Sequence, residues 1–315
     1  MAFGDILVNI IPTSQISTTF FPPTPTFLPE RDIPSLAGKV VIVTGGNAGI
    51  GFETCRQLLL HDAKVYLGAR SSAKANAAID TLKNQTGKDD IHFLELDLGD
   101  LRGVRAAADT FLRGEAKLDV LFNNAGVMTP PTDQLTSQGY DLQMGTNVLG
   151  PYFFTKLLLP ALKAAHGRII NTSSSGHHFT PGESGLDFAT FDGGNERDRI
   201  IKSWGLSGSW KLYGQSKLGN VVLSNLWARE LAGEVYSCAL HPGGIKTELQ
   251  RHSAPWLQQL AQYLLYPAHM GAWTQLYAGT TAEPSQINGQ ADAKAANVAT
   301  QELLRSWLDE QLEKY

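Results

Sequence analysis

From Gly38 onward, short apolar runs rich in β-branched residues alternate with longer stretches of helical periodicity. The runs Lys39–Thr44, Ala63–Leu67, Ile91–Leu96, Leu118–Phe122, Arg168–Thr172 and Glu234–Leu240 read as strands buried on both faces. Between them, Gly51–His61, Ala73–Gln85, Leu101–Gly114 and Leu149–His166 place apolar residues three and four apart and are predicted helices. Leu218–Leu231 is a further helical stretch, and Leu303–Leu308 a closing amphipathic one. This β-α-β alternation predicts an α/β fold, a doubly wound parallel sheet with helices on both faces in three layers. Its ligand is expected beyond the carboxyl ends of the strands.

The first residues follow a different pattern. The apolar run Ile6–Ile11 stops at Pro12, far short of the ~18 residues needed to span a bilayer. Phe20, Phe21, Pro22, Pro23, Pro25, Phe27 and Pro29 then favour an extended strap. It either lies on its own domain or acts as an interfacial anchor or partner contact. The organisation expected is an arm over residues 1–33 and one domain over 34–315.

Composition narrows the class. With 43% hydrophobic and 18% charged residues the chain of 315 is not largely disordered. A net charge of −4 gives no basic field for nucleic acid. Two cysteines, Cys55 and Cys238, are too few for a disulfide framework or a Cys-rich zinc site. No transmembrane segment is read, so a cytoplasmic location is expected, with peripheral membrane contact and homo-oligomerisation left open. Glycine is in excess, at 31 residues.

Part of that excess lies between the first strand and the first helix, in Thr44-Gly45-Gly46-Asn47-Ala48-Gly49-Ile50-Gly51. Glycine there lets backbone approach a phosphate, with free N–H groups at a helix N-terminus facing the anion. The spacing is G-x-x-x-G-x-G, and there is no P-loop lysine. Together with Asn123-Asn124-Ala125-Gly126 after the fourth strand, this turn resembles the short-chain dehydrogenase/reductase family, which has a Rossmann fold. The wording Arg168-Ile-Ile-Asn171-Thr-Ser-Ser-Ser with His177-His178 resembles its retinol-dehydrogenase-like branch. The resemblance covers Pro34 to Tyr315.

The resemblance implies a nicotinamide cofactor seated on Gly45, Asn47, Gly49, Ile50 and Gly51, with Asn124, Ala125 and Gly126 beside it. Asp97 is implied at the adenine, with Leu98 beside the ring. Pro242, Gly243 and Ile245 are implied at the carboxamide, with Thr247 closing over the pyrophosphate. Strand two ends Ala69-Arg70, with no acid to accept a ribose 2′-hydroxyl and an arginine suited to a 2′-phosphate. NADP is therefore expected over NAD.

Hydride transfer at a carbonyl needs a proton donor or acceptor, and a tyrosine serves when a nearby cation stabilises its phenolate. Tyr-x-x-x-Lys puts the two side by side on a helix, and the chain contains it twice, at Tyr152–Lys156 and Tyr213–Lys217. In the family the catalytic serine ends strand five and the tyrosine helix follows it. Tyr152–Lys156 precedes that strand and is read as packing, with Lys156 solvated. Tyr213 and Lys217 take the catalytic roles and are implied by the resemblance to meet the cofactor too, Lys217 at the nicotinamide ribose. Matching the strand's end selects Ser174 among Ser173, Ser174 and Ser175. Asn147 matches the fourth member, which holds a water between Lys217 and solvent.

The substrate side is read from Phe179, Phe188, Phe191, Trp204 and Trp210, in the long connection between Ser174 and Tyr213, and from Trp256, Tyr263 and Tyr266. They either form a pocket for a lipophilic alcohol, ketone or aldehyde or pack on the body. His177 and His178, on a strand extension, are expected to point to opposite sides, and no metal is expected. The reading from another class is a catalytically silent nucleotide-binding sensor or scaffold on the same fold. The presence of both Tyr213 and Lys217 weighs against it.

Overall fold

The computed structural model describes residues 24–246, 265–289 and 293–315. Its strands are β1 (Val40–Thr44), β2 (Lys64–Ala69), β3 (Ile91–Glu95), β4 (Val120–Asn123), β5 (Arg168–Thr172) and β6 (Tyr236–Leu240). All pair in parallel in the order β3-β2-β1-β4-β5-β6. The order reverses between β1 and β4, so a crevice opens at their carboxyl ends, as a doubly wound sheet requires. Alternate β1 side chains enter opposite layers. Ile42 joins a core with Phe111, Leu121 and Phe154, while Val41 and Val43 join one with Leu58, Leu67 and Phe122.

The helices are α1 (Gly49–Leu60), α2 (Ser72–Thr86), α3 (Leu101–Gly114), α4 (Gly150–Ala165), α5 (Asn195–Trp204), α6 (Gly208–Glu230), α7 (Ala268–Leu276) and α8 (Val298–Leu312). Helices α5 and α7 lie where no helix is predicted, α8 starts five residues before Leu303, and the segments around Asn147 and Tyr213 also differ from the periodicity. A π-helical segment, Gly145–Leu149, precedes α4 and is itself led in by Leu142–Met144. Helix α6 begins at Gly208, so Tyr213 lies inside it rather than at its start.

The connection before α6 is folded rather than loose. It contains a 3-10 turn at Ser175–His178, another at Phe188–Thr190, and α5. Phe191 is fully buried and meets Trp307 of α8 edge-on, with ring centroids 5.0 Å apart. Arg197 of α5 forms a buried ion pair with Asp141, 2.6 Å long.

Near the N-terminus, Phe27 packs edge-on against Tyr277 at 5.4 Å and Pro29 is buried. Pro29–Asp32 is a helical turn, a departure from the extended strap. Phe20, Phe21, Pro22 and Pro23 lie outside the described residues. No helix among the described residues is long and apolar enough to cross a membrane.

Candidate active site

The turn from β1 into α1 leaves room for an anion. Gly45 and Gly49 have φ of +68° and +55°, the left-handed region that favours glycine. A Cβ on Gly51 would collide with the Gly45 carbonyl and the Asn124 side chain. Helices α2, α3 and α8 have side-chain N-caps from Ser71, Asp100 and Asn297, whereas Ala48 gives α1 none. First-turn N–H groups of α1 thus face the crevice without a capping side chain, which suits a pyrophosphate. Asn47 and Ile50 lie in this turn, both half-buried.

Thr44 and Asn124 brace the turn against the segment after β4. The Asn124 amide donates to the Thr44 carbonyl at 2.8 Å, and the N–H groups of Asn124 and Ala125 donate to the Thr44 hydroxyl at 3.0 Å. Asn124 is therefore committed to the protein through its side chain. Ala69 ends β2 and Arg70 after it is exposed, with no hydrogen bond or ion pair among the described residues. The Asp97 carboxylate accepts the Gly99 N–H at 2.9 Å. Leu98 is buried in the core, so only its backbone edge can face a base. Pro242, Gly243 and Ile245 follow β6, and Ile245 bridges Tyr266 in parallel. Thr247 lies outside the described residues, as do Trp256 and Tyr263.

Ser174, Tyr213, Lys217 and Asn147 converge at the ends of β4 and β5. Two glycines make the approach possible. A Cβ on Gly214 would collide with the Phe179 carbonyl, and one on Gly176 would sit 2.8 Å from the Tyr213 ring. Helix α6 therefore seats against the 3-10 turn, and the Ser174 side chain hydrogen-bonds Tyr213. Ser173 instead turns inward and donates to the Lys217 carbonyl at 2.7 Å. Lys217 Nζ lies 5.8 Å from the Tyr213 ring centroid and donates to the Thr172 carbonyl at 2.8 Å. Asn147, in the π-helical segment, is fully engaged. Its Oδ1 accepts from the Val127 N–H at 2.8 Å, and its Nδ2 donates to the Val127 carbonyl and to Ser216 Oγ. A Cβ on Gly126 would come within 3.0 Å of Asn147 Oδ1 and 3.4 Å of Lys217 Nζ. The absence of that Cβ lets both side chains come up to the segment after β4.

Electrostatically the site departs from the sequence expectation. Burial pushes the Tyr213 phenol up to about 12, and only the Ser174 hydrogen bond draws it down. Burial also presses Lys217 down to about 8. The lysine was expected to lower the tyrosine; in the protein alone desolvation prevails, because the ammonium is turned to the Thr172 carbonyl. At neutral pH the pair is a phenol and an ammonium, poised to give a proton.

The other pair lies elsewhere. Tyr152 is buried, stacks on Trp227 at 5.2 Å and donates to Asp309 at 2.7 Å. Lys156 is paired with the same carboxylate at 2.8 Å rather than simply solvated. His177 and His178 also depart from the expectation. They sit on a 3-10 turn, not a strand, and their rings lie 4.0 Å apart. Among the described residues no group of three or more His, Cys, Asp or Glu side chains is placed to hold a metal. Of the aromatic residues, Phe188 and Phe191 pack on the body. Phe179 and Trp210 pair at 6.2 Å, and Trp210 meets the Tyr213 ring at 6.1 Å, forming a wall beside it.

Comparison with known proteins agrees with this geometry. The family model described as short chain dehydrogenase matches residues 39–184. A short-chain dehydrogenase/reductase of Armillaria gallica is 46% identical, covering 96% of this chain and 98% of its own length. The chain belongs to the short-chain dehydrogenase/reductase family. Retinol dehydrogenase 11 of Homo sapiens is 36% identical over 84% of this chain and 81% of that protein, which places the chain in the retinol-dehydrogenase-like branch. The Pseudomonas aeruginosa RhlG/NADP active-site complex shares the fold with a TM-score of 0.59 and 26% identity, over 78% of this chain and 91% of that one.

Within this family member, several polar residues escaped the sequence reading. Gln215, between Tyr213 and Lys217, accepts the Asp187 N–H and donates to Thr190, tying α6 to the long connection. Gln143 accepts the Thr129 N–H and donates to the Ser209 carbonyl. Their burial was the missing signal, since glutamine within an amphipathic helix is usually exposed.

Proposed function

We propose that this oxidoreductase is an NADP-preferring alcohol dehydrogenase or carbonyl reductase acting on a lipophilic alcohol, ketone or aldehyde. The observation that carries the reading is the cluster of half-buried Ser174 with buried Tyr213 and Lys217, beside Asn147, at the mouth of the crevice that the glycine turn enters. Residues 34–315 form the catalytic unit, on which Phe27, Pro29 and Ile33 pack.

In this reading Ser174 orients the substrate oxygen. Tyr213 donates its phenolic proton to that oxygen during carbonyl reduction and takes it back during alcohol oxidation. Lys217 holds positive charge next to the phenol, and Asn147 fixes the segment after β4 against which Lys217 rests. The uncapped turn of α1 and the glycines Gly45, Gly49 and Gly51 seat the pyrophosphate. When bound, the nicotinamide would supply hydride to the carbonyl carbon or accept it from the alcohol carbon. Burial holds Tyr213 protonated in the protein alone, the form that donates during reduction. General acid help of this kind contributes ~10²–10⁴-fold.

Support for NADP comes from Arg70, exposed and unpaired among the described residues after Ala69, and from RhlG, a neighbour in complex with NADP. Phe179 and Trp210 beside Tyr213 support an apolar substrate. The test is NADPH oxidation with a panel of lipophilic ketones and aldehydes, repeated with Arg70→Asp. Turnover is expected, and Arg70→Asp should weaken NADPH by about tenfold or more while improving NADH. An unchanged cofactor ratio contradicts the NADP preference; cofactor binding without turnover on any member of the panel contradicts the enzyme.

A further inference from the structure

A chain of buried side chains joins the nucleotide turn to the lysine through a helix distant in sequence from both. Thr54 of α1 donates to the Ile50 carbonyl at 2.8 Å, inside the turn. Gln275 of α7 donates from Nε2 to the Thr54 hydroxyl, and its Oε1 accepts from the Thr172 hydroxyl at 2.9 Å. The Thr172 carbonyl in turn accepts from Lys217 Nζ at 2.8 Å and from the Asn220 amide at 3.4 Å. Thr54 and Gln275 are fully buried, and Thr172 and Lys217 nearly so. Helix α7 also presses directly on the turn. A Cβ on Gly271 would fall 2.9 Å from Ile50 and 2.8 Å from Ile245.

An apolar residue would fill the place of Gln275 at less desolvation cost, since its amide is taken out of water to meet only these two hydroxyls. Its particular effect is geometric. One amide, 0% exposed, sets the distance between the helix that opens at the glycine turn and the strand end that holds the ammonium. A ligand touching both ends must match that distance.

We propose that Gln275 is a positioning residue that holds the glycine turn and Lys217 in register, so that a dinucleotide can engage both at once. The inference rests on the nicotinamide-binding reading above. Its consequence is specific. A nucleotide fragment reaching only the turn does not feel the register, whereas the whole dinucleotide does.

The test compares dissociation constants in wild type, Gln275→Leu, Thr172→Val and Thr172→Ser. The ligands are NADPH and the fragment 2′,5′-ADP, followed by calorimetry in the absence of substrate. Gln275→Leu and Thr172→Val should each weaken NADPH ~tenfold, the worth of a buried hydrogen bond, while 2′,5′-ADP stays within twofold of wild type. Thr172→Ser, which keeps the hydroxyl, should restore NADPH affinity. Equal weakening of both ligands, or no change in either, overturns the proposal. If Gln275→Leu does not fold, the Thr172 pair decides. Wild-type protein that binds neither ligand is tested with NADH and 5′-AMP in the same variants; binding none of the four refutes the nicotinamide reading itself, an outcome distinct from failure of the register.

Discussion

Two tyrosine–lysine pairs of identical spacing occupy adjacent helices, with the ammonium 5.9 Å from the Tyr152 ring centroid and 5.8 Å from that of Tyr213. Their internal geometry is nearly the same; their surroundings are not. Tyr152 and Lys156 share the partly exposed carboxylate of Asp309, so both find a charged partner that holds them in a structural contact. Tyr213 and Lys217 have only neutral partners, a serine hydroxyl and a carbonyl, and both are buried. The residue after the tyrosine differs too. Phe153 packs into the core, whereas Gly214 lets the Ser174 turn close in. A short motif therefore specifies a spacing, and the reactivity comes from what the fold places around it.

The two pairs should diverge most at their lysines. Lys217→Met should lower kcat by ~10²–10⁴-fold, while Lys156→Met leaves it within twofold; steady-state rates with NADPH check this. The same variant has a signature in stability. Lys217 is held at about 8 in the folded protein against an ordinary 10.5. Between those values the unfolded chain binds more protons, so this group adds stability as pH rises through the window and loses it as pH falls. Lys217→Met should flatten that rise in denaturant titrations of the cofactor-free protein.

A smaller effect is expected at Gly214. Gly214→Ala forces α6 away from the Phe179 carbonyl, costing ~1–3 kcal/mol of stability and lowering kcat as Ser174 and Tyr213 separate. Chemical denaturation and kinetics together measure it. The smallest is at the other pair. Asp309→Ala removes one carboxylate shared by Tyr152 and Lys156, for about 1 kcal/mol of stability and no change in turnover.

What the sequence made legible, and what it did not, follows a physical division. Strands such as Val40–Thr44 and Val120–Asn123 are recognisable because burial on both faces demands nearly continuous apolar runs. The glycine turn is recognisable because positive φ favours glycine and the close approach leaves no room for a Cβ. The order of Ser174 before Tyr213 separates the two tyrosine motifs. The π-helical segment at Gly145–Leu149 leaves no periodic trace over five residues. The inward turn of Ser173, and the use of Asn147 by Val127 and Ser216, depend on tertiary contacts. Gln275 meets partners 103 and 221 positions away, and no local pattern announces them. The upward push on Tyr213 was also hidden, since spacing gives the neighbour of a group and not its burial.

Whether Tyr213 donates the proton while Tyr152 only packs is decided by single-turnover carbonyl reduction with Tyr213→Phe and Tyr152→Phe. Both proteins should bind NADPH as wild type does. Tyr213→Phe should lose ~10²–10⁴-fold in the rate of NADPH oxidation, and Tyr152→Phe should keep the wild-type rate. Equal loss in the two, or full activity in Tyr213→Phe, would contradict the account.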